Sequence, residues 1–206
     1  MTRDRHTDDV PVWALVSSAA APVLLVGGWT LAASLQPAGF DQMSDTISDL
    51  AGLAATDRWV MTIALVGVGA SHVTTALGLH PAARLGRASL ALAGVATIAV
   101  AAIPVTSSAT PTAHTIAAGV AFLSLTVFPT LASRTTRHTT ALLRPTAGVL
   151  ATATLAVALG WFVVELSTGG PRIGLSERVS AGAQSLWPLA VVLSSRAGRR
   201  SRNRHG

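Results

Sequence analysis

The sequence predicts an all-α, polytopic membrane protein. The expected fold is a bundle of six transmembrane helices, with both termini in the cytoplasm and a short amphipathic helix in the first outer loop. Half of the 206 residues are hydrophobic and only 12% are charged, whereas a soluble domain usually has about 25% charged residues. Six apolar segments each have about the length, roughly 20 residues, that crosses a bilayer as a helix. All 15 basic residues are arginine, and they are distributed unevenly between the connecting segments.

Composition also excludes several classes of protein and site. The mean hydropathy of +0.53 excludes a disordered chain, because disorder requires low hydrophobicity and high charge. The chain has no cysteine, which excludes a disulfide framework, thiolate metal ligands and a cysteine nucleophile.

The six apolar segments set the expected domain organisation. Backbone groups in lipid must pair within their own segment, so each segment should form a helix. A cytoplasmic N-terminus (1–12) precedes the membrane domain (13–195), and a basic cytoplasmic tail (196–206) follows it. Within the domain, helices are expected at about 13–35, 59–79, 88–105, 112–132, 147–164 and 179–195.

The arginines predict the orientation of this bundle. With the N-terminus inside, twelve arginines are cytoplasmic and three are outside, namely Arg58, Arg172 and Arg178, as the positive-inside rule requires. Six of the nine acids then lie outside, which leaves the outer side with three minus six, or −3. The net charge of +6 is therefore a sum over two sides of a membrane, and no nucleic-acid partner is expected.

The first outer loop has the most regular pattern of polar residues. Asp41, Asp45 and Asp49 recur every four residues, which would align them on one face of a helix. Two interpretations remain open: the helix lies on the membrane surface with its acids in water, or it caps the bundle and turns its carboxylates inward. Inward carboxylates would repel one another, so that one of them could stay protonated and act as a general acid. The spacing is not that of an EF-hand, and no metal site is predicted.

Other polar residues at the outer helix ends can complete a vestibule with these acids. His114 lies in the first turns of the fourth helix, where a carboxylate neighbour would make it a proton shuttle; the alternative is a half-exposed residue at the interface. The catalytic candidates are Asp45, Asp49, His114 and Glu177. The ligand-binding candidates are Asp41, Ser44, Ser48, Arg58, Glu165, Arg178, Gln184 and Trp187. Solvated helix ends are the alternative interpretation of the charged members.

The sixth helix carries a polar stripe towards the middle of the membrane. Glu177, Ser180, Gln184 and Trp187 share one face, and Pro188 leaves the backbone carbonyl of Gln184 without its helical partner. The stripe is either polar contact between helices or the floor of a cavity. His72, deeper in the second helix, can be satisfied locally by neighbouring serine and threonine residues. It lies too far from His114 in depth for a three-histidine zinc site.

Three short motifs at the ends of helices resemble one family. They are Ser44-Asp45-Thr46-Ile47-Ser48-Asp49-Leu50, Gly174-Leu175-Ser176-Glu177-Arg178 and Leu186-Trp187-Pro188. In this order they resemble the DUF998 family of prokaryotic integral membrane proteins. The four residues 47–50 are also similar to a loop of DRAM-like and GPI-lipid-remodelling membrane proteins. The resemblance to DUF998 implies a six-helix protein of the cell membrane, in bacteria the inner membrane, and it implies no particular reaction.

Three functions therefore remain open. The first is an outward-facing acidic and histidine vestibule that binds a lipid-like ligand, a cation or a partner protein. The second is an intramembrane enzyme acting on a lipid or isoprenoid, for example a terpene cyclase started by a carboxylic acid, with Trp187 stabilising a cation. The third is a small proton-coupled transporter, which the lack of a detectable internal repeat disfavours. The expected partners are the bilayer and a lipid or isoprenoid ligand, and no cofactor is expected.

Overall fold

The prediction of an all-α fold is confirmed. The computed structural model describes residues 10–106, 109–135 and 139–202, with the side chains of 199–202 left out, and these ranges contain helices and no strand. Of the predicted cytoplasmic segments 1–12 and 196–206, residues 1–9 and 203–206 lie outside the described residues, and the start of the predicted tail continues α7. The helices are α1 (Val12–Ser34), α2 (Ile47–Leu50), α3 (Trp59–Gly78), α4 (Arg84–Ala102), α5 (Thr112–Ala132), α6 (Pro145–Thr168) and α7 (Ile173–Arg202), with a 3-10 turn at Ala141–Leu143.

Five of these helices are long and apolar enough to cross a membrane, namely α1, α3, α4, α5 and α6. The protein is therefore a membrane protein with several helices capable of spanning the bilayer. The sixth predicted span, 179–195, lies within α7, which is not among those five.

Three helices differ clearly from their predicted limits. The helix expected at 88–105 is α4, which begins earlier, at Arg84, and ends at Ala102. The helix expected at 147–164 is α6, which ends at Thr168, so Glu165 lies inside it. The helix expected at 179–195 begins at Ile173, so Glu177 and Arg178 lie inside α7 and not before it. The predictions followed the limits of apolar sequence, but helical hydrogen bonding continues past those limits where the backbone finds partners, and α4 ends early because the residue before Pro104 disfavours the helical conformation.

The helices pack as neighbours in chain order. The pairs α1–α3, α3–α4 and α4–α5 share the most extensive contacts, and α7 closes the bundle against α1 and α6. Helices α3 and α4 approach closely at Gly69 and Gly94, where a Cβ on Gly69 would lie 2.5 Å from the carbonyl oxygen of Gly94. Small residues allow such close contact between helices in a membrane.

The bundle has two ends of opposite charge. The acidic end carries the connection between α1 and α3 (35–58) and the turn between α6 and α7; the arginine end carries Val10, the α3–α4 turn and the α5–α6 connection. Each end has its own apolar cluster. Ile47, Leu50, Met61 and Leu65 belong to the cluster near the acidic end. The cluster near the arginine end, called the apolar plug below, contains Val10, Ala14, Ala76, Leu79, Ala82, Leu90, Ala93, Leu125, Phe128, Ala132, Leu143, Val191 and Val192.

Candidate functional site

The helix expected in the first loop is a single turn. It spans only Ile47–Leu50 and begins with a capping box, in which the Thr46 side chain accepts from the backbone N–H of Asp49 and the Asp49 side chain accepts from that of Thr46. The apolar members Ile47 and Leu50 are buried against the bundle. Residues 41–45 form turns, because their polar side chains bond to nearby backbone groups and compete with helix formation.

The alignment of three aspartates on one helical face is therefore wrong. The backbone N–H of Asp41 donates to Oδ2 of Asp45 at 2.8 Å, and the backbone N–H of Met43 donates to Oδ1 of Asp41 at 2.9 Å. Oδ2 of Asp49 accepts from the backbone N–H and the hydroxyl of Thr46, at 2.8 and 2.7 Å. Each carboxylate thus stabilises its own part of the loop through hydrogen bonds to neighbouring groups.

Two adjacent residues of α7 hold this loop onto the bundle. Glu177 is buried and its Oε2 accepts from the backbone N–H of Ile47 at 2.5 Å. Nη1 of Arg178 donates to the carbonyl oxygens of Gln42 and Asp45, at 2.9 and 2.7 Å, and to that of Gly174 in its own helix at 2.9 Å. Within the described part of the chain, Nε and Nη2 of Arg178 have no hydrogen-bond partner.

Burial raises the pKa of the Glu177 carboxyl. The side chain lies ahead of the predicted span 179–195, and desolvation raises the pKa of its carboxyl from 4.5 to about 7; the Ile47 N–H and the Arg178 charge act in the opposite direction. A carboxyl group with such a pKa can be protonated or ionised near neutral pH, which is what a general acid or a proton acceptor requires.

His114 is also buried at the acidic end, and each of its two ring nitrogens has a hydrogen-bond partner. Nδ1 lies 2.6 Å from the carbonyl oxygen of Ile103, and Nε2 lies 3.1 Å from the hydroxyl of Ser48. A carbonyl can only accept, so Nδ1 carries a proton, and Nε2 accepts from the Ser48 hydroxyl in the tautomer that has no second ring proton. His114 therefore joins the end of α4 and the start of α5 to α2.

An open cavity of about 380 Å³ begins at these groups and extends between α5 and α6. We call it the acidic cavity. Its polar end is formed by Thr46, Ser48, Asp49, Thr110, His114, Thr115 and Glu177, and its apolar wall by Val105, Ala118, Gly119, Phe122, Leu123, Leu159, Phe162, Val163 and Leu166. Phe122 and Phe162 meet across the wall with ring centroids 5.4 Å apart. Three of the four predicted catalytic residues, Asp49, His114 and Glu177, line this cavity, together with Ser48.

The other predicted residues of this end lie elsewhere. Asp41, Asp45 and Ser44 belong to the turns before α2, and Arg58 stacks on Trp59 with its guanidinium carbon 4.0 Å from the ring centroid. Glu165 closes the α6–α7 turn: its Oε1 accepts from Nε1 of Trp161 at 3.2 Å and its Oε2 from the backbone N–H of Arg172 at 2.9 Å. None of these residues lines the acidic cavity.

A second, smaller cavity of about 70 Å³ lies deeper, beneath α2 and among α1, α3, α4, α5 and α7. We call it the central chamber. Gln184 and Glu177 line it, and so does His72; Trp187 does not, and packs instead against the apolar plug. Neither ring nitrogen of His72 has a hydrogen-bond partner within the described residues, so the expected local satisfaction by serine and threonine is wrong. Thr75 bonds instead to Ser17, with the hydroxyls 2.9 Å apart.

Sequence reasoning missed three features of these two cavities: the Ile47 N–H that Glu177 binds, the aromatic pair Phe122–Phe162, and the position of His72 in the chamber. Only His72 had a usable signal, since an ionisable residue in an apolar segment is a functional candidate by default. Among the described residues, no three metal-ligating side chains lie close enough together to hold an ion.

Comparison with known proteins identifies the family. No curated protein and no solved structure matches the chain. The family model of DUF998, described as "Protein of unknown function", matches residues 18–194. This range contains every helix from the second turn of α1 to most of α7, and both cavities lie within it. The chain therefore belongs to the DUF998 family.

Proposed function

We propose that this protein binds a lipid-like amphiphile in the acidic cavity. The polar headgroup would lie beside Asp49, Glu177 and Ser48, and the apolar chain would lie between α5 and α6. The protein would span the membrane six times with both termini in the cytoplasm, which puts the acidic end outside, as the distribution of arginine predicts.

The observation that carries this proposal is the division of one cavity into a polar end and an apolar wall. Its volume of about 380 Å³ falls in the range of roughly 300–1,000 Å³ that ligand pockets occupy. Leu123, Val163 and Leu166 on its wall are exposed at the bundle surface. In a membrane that surface faces lipid, so an acyl or isoprenoid chain could enter sideways between the two helices.

The polar end favours a headgroup that donates hydrogen bonds. Asp49 and Glu177 offer carboxylate oxygens, while both nitrogens of His114 already have protein partners. An ammonium or hydroxyl headgroup fits such acceptors, whereas a second anion would be repelled. We therefore expect preference for an amine-bearing lipid over an anionic one.

Two glycines provide a matched pair for the test. A Cβ on either Gly119 or Gly160 would have no heavy atom within 4 Å, so a larger side chain is tolerated at both positions. Gly119 lines the acidic cavity and Gly160 does not. Gly119→Phe should therefore fill the cavity, and Gly160→Phe should add the same group to an exposed face of α6 that does not line the cavity.

The measurement is photocrosslinking in nanodiscs with two diazirine-tailed lipids, a phosphatidylethanolamine and a phosphatidylglycerol. The wild type and Gly160→Phe should crosslink the ethanolamine lipid at α5 and α6 peptides several-fold more than the glycerol lipid. Gly119→Phe should lose at least about nine-tenths of that crosslinking. Equal labelling of all three proteins, or equal labelling by the two lipids, would contradict the proposal.

One group, the carboxyl of Glu177, still supports the alternative that the protein is an enzyme. A buried carboxyl with a pKa of about 7 is suited to general acid catalysis beside a bound isoprenoid. The terpene-cyclase version also needs Trp187 beside the substrate, and Trp187 lines neither the acidic cavity nor the central chamber. Binding is therefore the proposal that the cavity supports best.

A further inference from the structure

Two polar side chains meet the central chamber in the middle of the bundle. His72 on α3 and Gln184 on α7 are each only 1% exposed. Both nitrogens of His72 and Oε1 of Gln184 have no hydrogen-bond partner within the described residues. Burying a polar group without a hydrogen bond costs several kcal/mol in hydrocarbon, so such groups need partners.

The orientation of Gln184 is fixed by its neighbours on α5. Its Nε2 donates to the carbonyl oxygen of Phe122 at 3.2 Å and to the hydroxyl of Thr126 at 2.9 Å. The Thr126 hydroxyl donates to the same Phe122 carbonyl, at 2.8 Å, and therefore can only accept from Gln184. The amide cannot be reversed without placing two acceptors together, and Oε1 remains an acceptor without a partner.

The chamber is closed towards the arginine end and adjoins the acidic cavity at the other. Beyond His72 and Gln184 lies the apolar plug, in which Leu79, Leu90 and Val191 are completely buried. On the opposite side, four residues line both cavities: Ser48, Ala118, Phe122 and Glu177. A small molecule could therefore reach the chamber from the acidic cavity past Glu177.

We propose that the central chamber is a water-binding site, the end of a half-channel that begins in the acidic cavity and stops at His72. One water molecule needs roughly 10–15 Å³ of such volume and two to four polar partners, so about 70 Å³ accommodates several. One nitrogen of a neutral His72 donates to this water and the other accepts, while Gln184 supplies Oε1 as an acceptor. Glu177 is the polar group at its entrance.

This arrangement gives His72 contact with the solvent at only one end of the bundle. A hydrogen-bonded water path between Glu177 and His72 allows protons to exchange between the acidic end and the middle of the membrane, while the apolar plug blocks the way to the arginine end. The inference rests on the chamber alone and does not require that the acidic cavity binds a lipid.

Cysteine accessibility tests the proposal, because the chain has no cysteine of its own. Ser185 on α7 lines the chamber and is 1% exposed, and cysteine is close to it in size. The control Leu186→Cys tests the adjacent, lipid-facing position, and Val192→Cys tests a position inside the apolar plug. Ag⁺, which is small and enters only hydrated spaces, is added to each protein in nanodiscs; the thiols that remain free are then counted with a maleimide after unfolding.

Ser185→Cys should react with Ag⁺ at least about tenfold faster than Leu186→Cys and Val192→Cys. Ala121→Cys, which lines the chamber from α5, should behave as Ser185→Cys does and replaces it if that variant does not fold. A chamber cysteine that reacts no faster than Val192→Cys would show that the chamber is dry and would overturn the proposal.

The route from the acidic cavity into the chamber is tested by a bulky side chain at a residue that lines both cavities. Ala118→Phe, combined with Ser185→Cys, should slow the Ag⁺ reaction several-fold by closing the passage from the acidic cavity. An unchanged rate would overturn the proposed entry at the acidic end.

Discussion

At the acidic end, Arg178 donates to carbonyl oxygens of a loop more than 130 residues away in sequence. At the arginine end, Arg87 donates to the carbonyl oxygens of Ala76 and Leu77, at 2.8 and 2.9 Å. Arg134 and Arg196 bond in the same way to Ala82 and Val10. Both ends thus use arginine to satisfy backbone carbonyls of the loops, and at the end of α3 also carbonyls that have no partner within the helix.

What separates the two ends is the space beneath these contacts. Under the arginine end the apolar plug fills the bundle, and its members are almost completely buried. Under the acidic end Glu177 is buried between two cavities. The arginine end is therefore filled with apolar side chains, whereas at the acidic end the buried carboxyl of Glu177 lines open space on two sides.

The largest effect is expected from Arg178→Gln. The substitution removes three hydrogen bonds and leaves the buried Glu177 without its neighbouring positive charge. A hydrogen bond from a charged donor contributes roughly 1.5–3 kcal/mol, so losing three of them, partly replaced by the glutamine amide, should cost roughly 3–5 kcal/mol. We expect that decrease in the free energy of unfolding, measured by SDS titration in detergent micelles, together with faster proteolysis within 41–56. Arg172→Gln, at an exposed arginine of the same end, should change neither; if the two variants behave alike, the loop does not depend on Arg178.

The second effect is a dependence of stability on pH that comes from Glu177. Because its pKa in the folded protein is raised, to about 7, the folded state binds the proton more tightly than the unfolded state does. Stability should therefore fall as pH rises from about 4.5 to about 7 and then level off. The total is on the order of 3–4 kcal/mol, since the pKa rises from 4.5 to about 7 and one pKa unit corresponds to about 1.4 kcal/mol.

Glu177→Gln should remove this pH dependence, as measured by the same SDS titration between pH 4.5 and 8. The control is Glu165→Gln, a carboxyl of the same end that closes a turn, and it should retain the dependence. If the stability of Glu177→Gln still depends on pH in this range, a group other than Glu177 causes the dependence.

The smallest effect is expected from Arg87→Gln at the arginine end. The substitution removes two hydrogen bonds from a half-buried side chain, each worth roughly 1 kcal/mol or less when water can replace it. The free energy of unfolding should fall by about 1 kcal/mol, and Ag⁺ labelling of Ser185→Cys should not change. A change in labelling would mean that the two ends are coupled, and would contradict the separation between them.

The sequence predicted the helical segments well because apolar length is a local property. Helix α5, predicted at 112–132, has those limits in the structure, and α3 differs by one residue. The aspartate pattern failed for a related reason. Its four-residue spacing is compatible with a helix, but Asp41 and Asp45 can also bond to the backbone within their own turns, and those local bonds prevail.

The candidate site depended on contacts between distant segments. Residue types and helix ends were enough to choose Asp49, His114 and Glu177 as candidates. They were not enough to exclude Asp45 and Glu165, whose carboxylates bond to neighbouring backbone groups. The sequence favoured local satisfaction of His72 by neighbouring hydroxyl groups, and its depth excluded only a zinc site with His114; in the structure it lines a different cavity from His114.

The amino-acid sequence alone was enough to predict the class of protein, the limits of α1, α3 and α5 and the family, because hydropathy and short motifs are read along the chain. Which polar groups face one another depended on the packing of the helices. The bond from Ile47 to Glu177 joins residues 130 positions apart, and His72 and Gln184 come together from α3 and α7. These contacts depend on how the helices rotate and pack against each other, because burial in the bundle determines which polar atoms find partners.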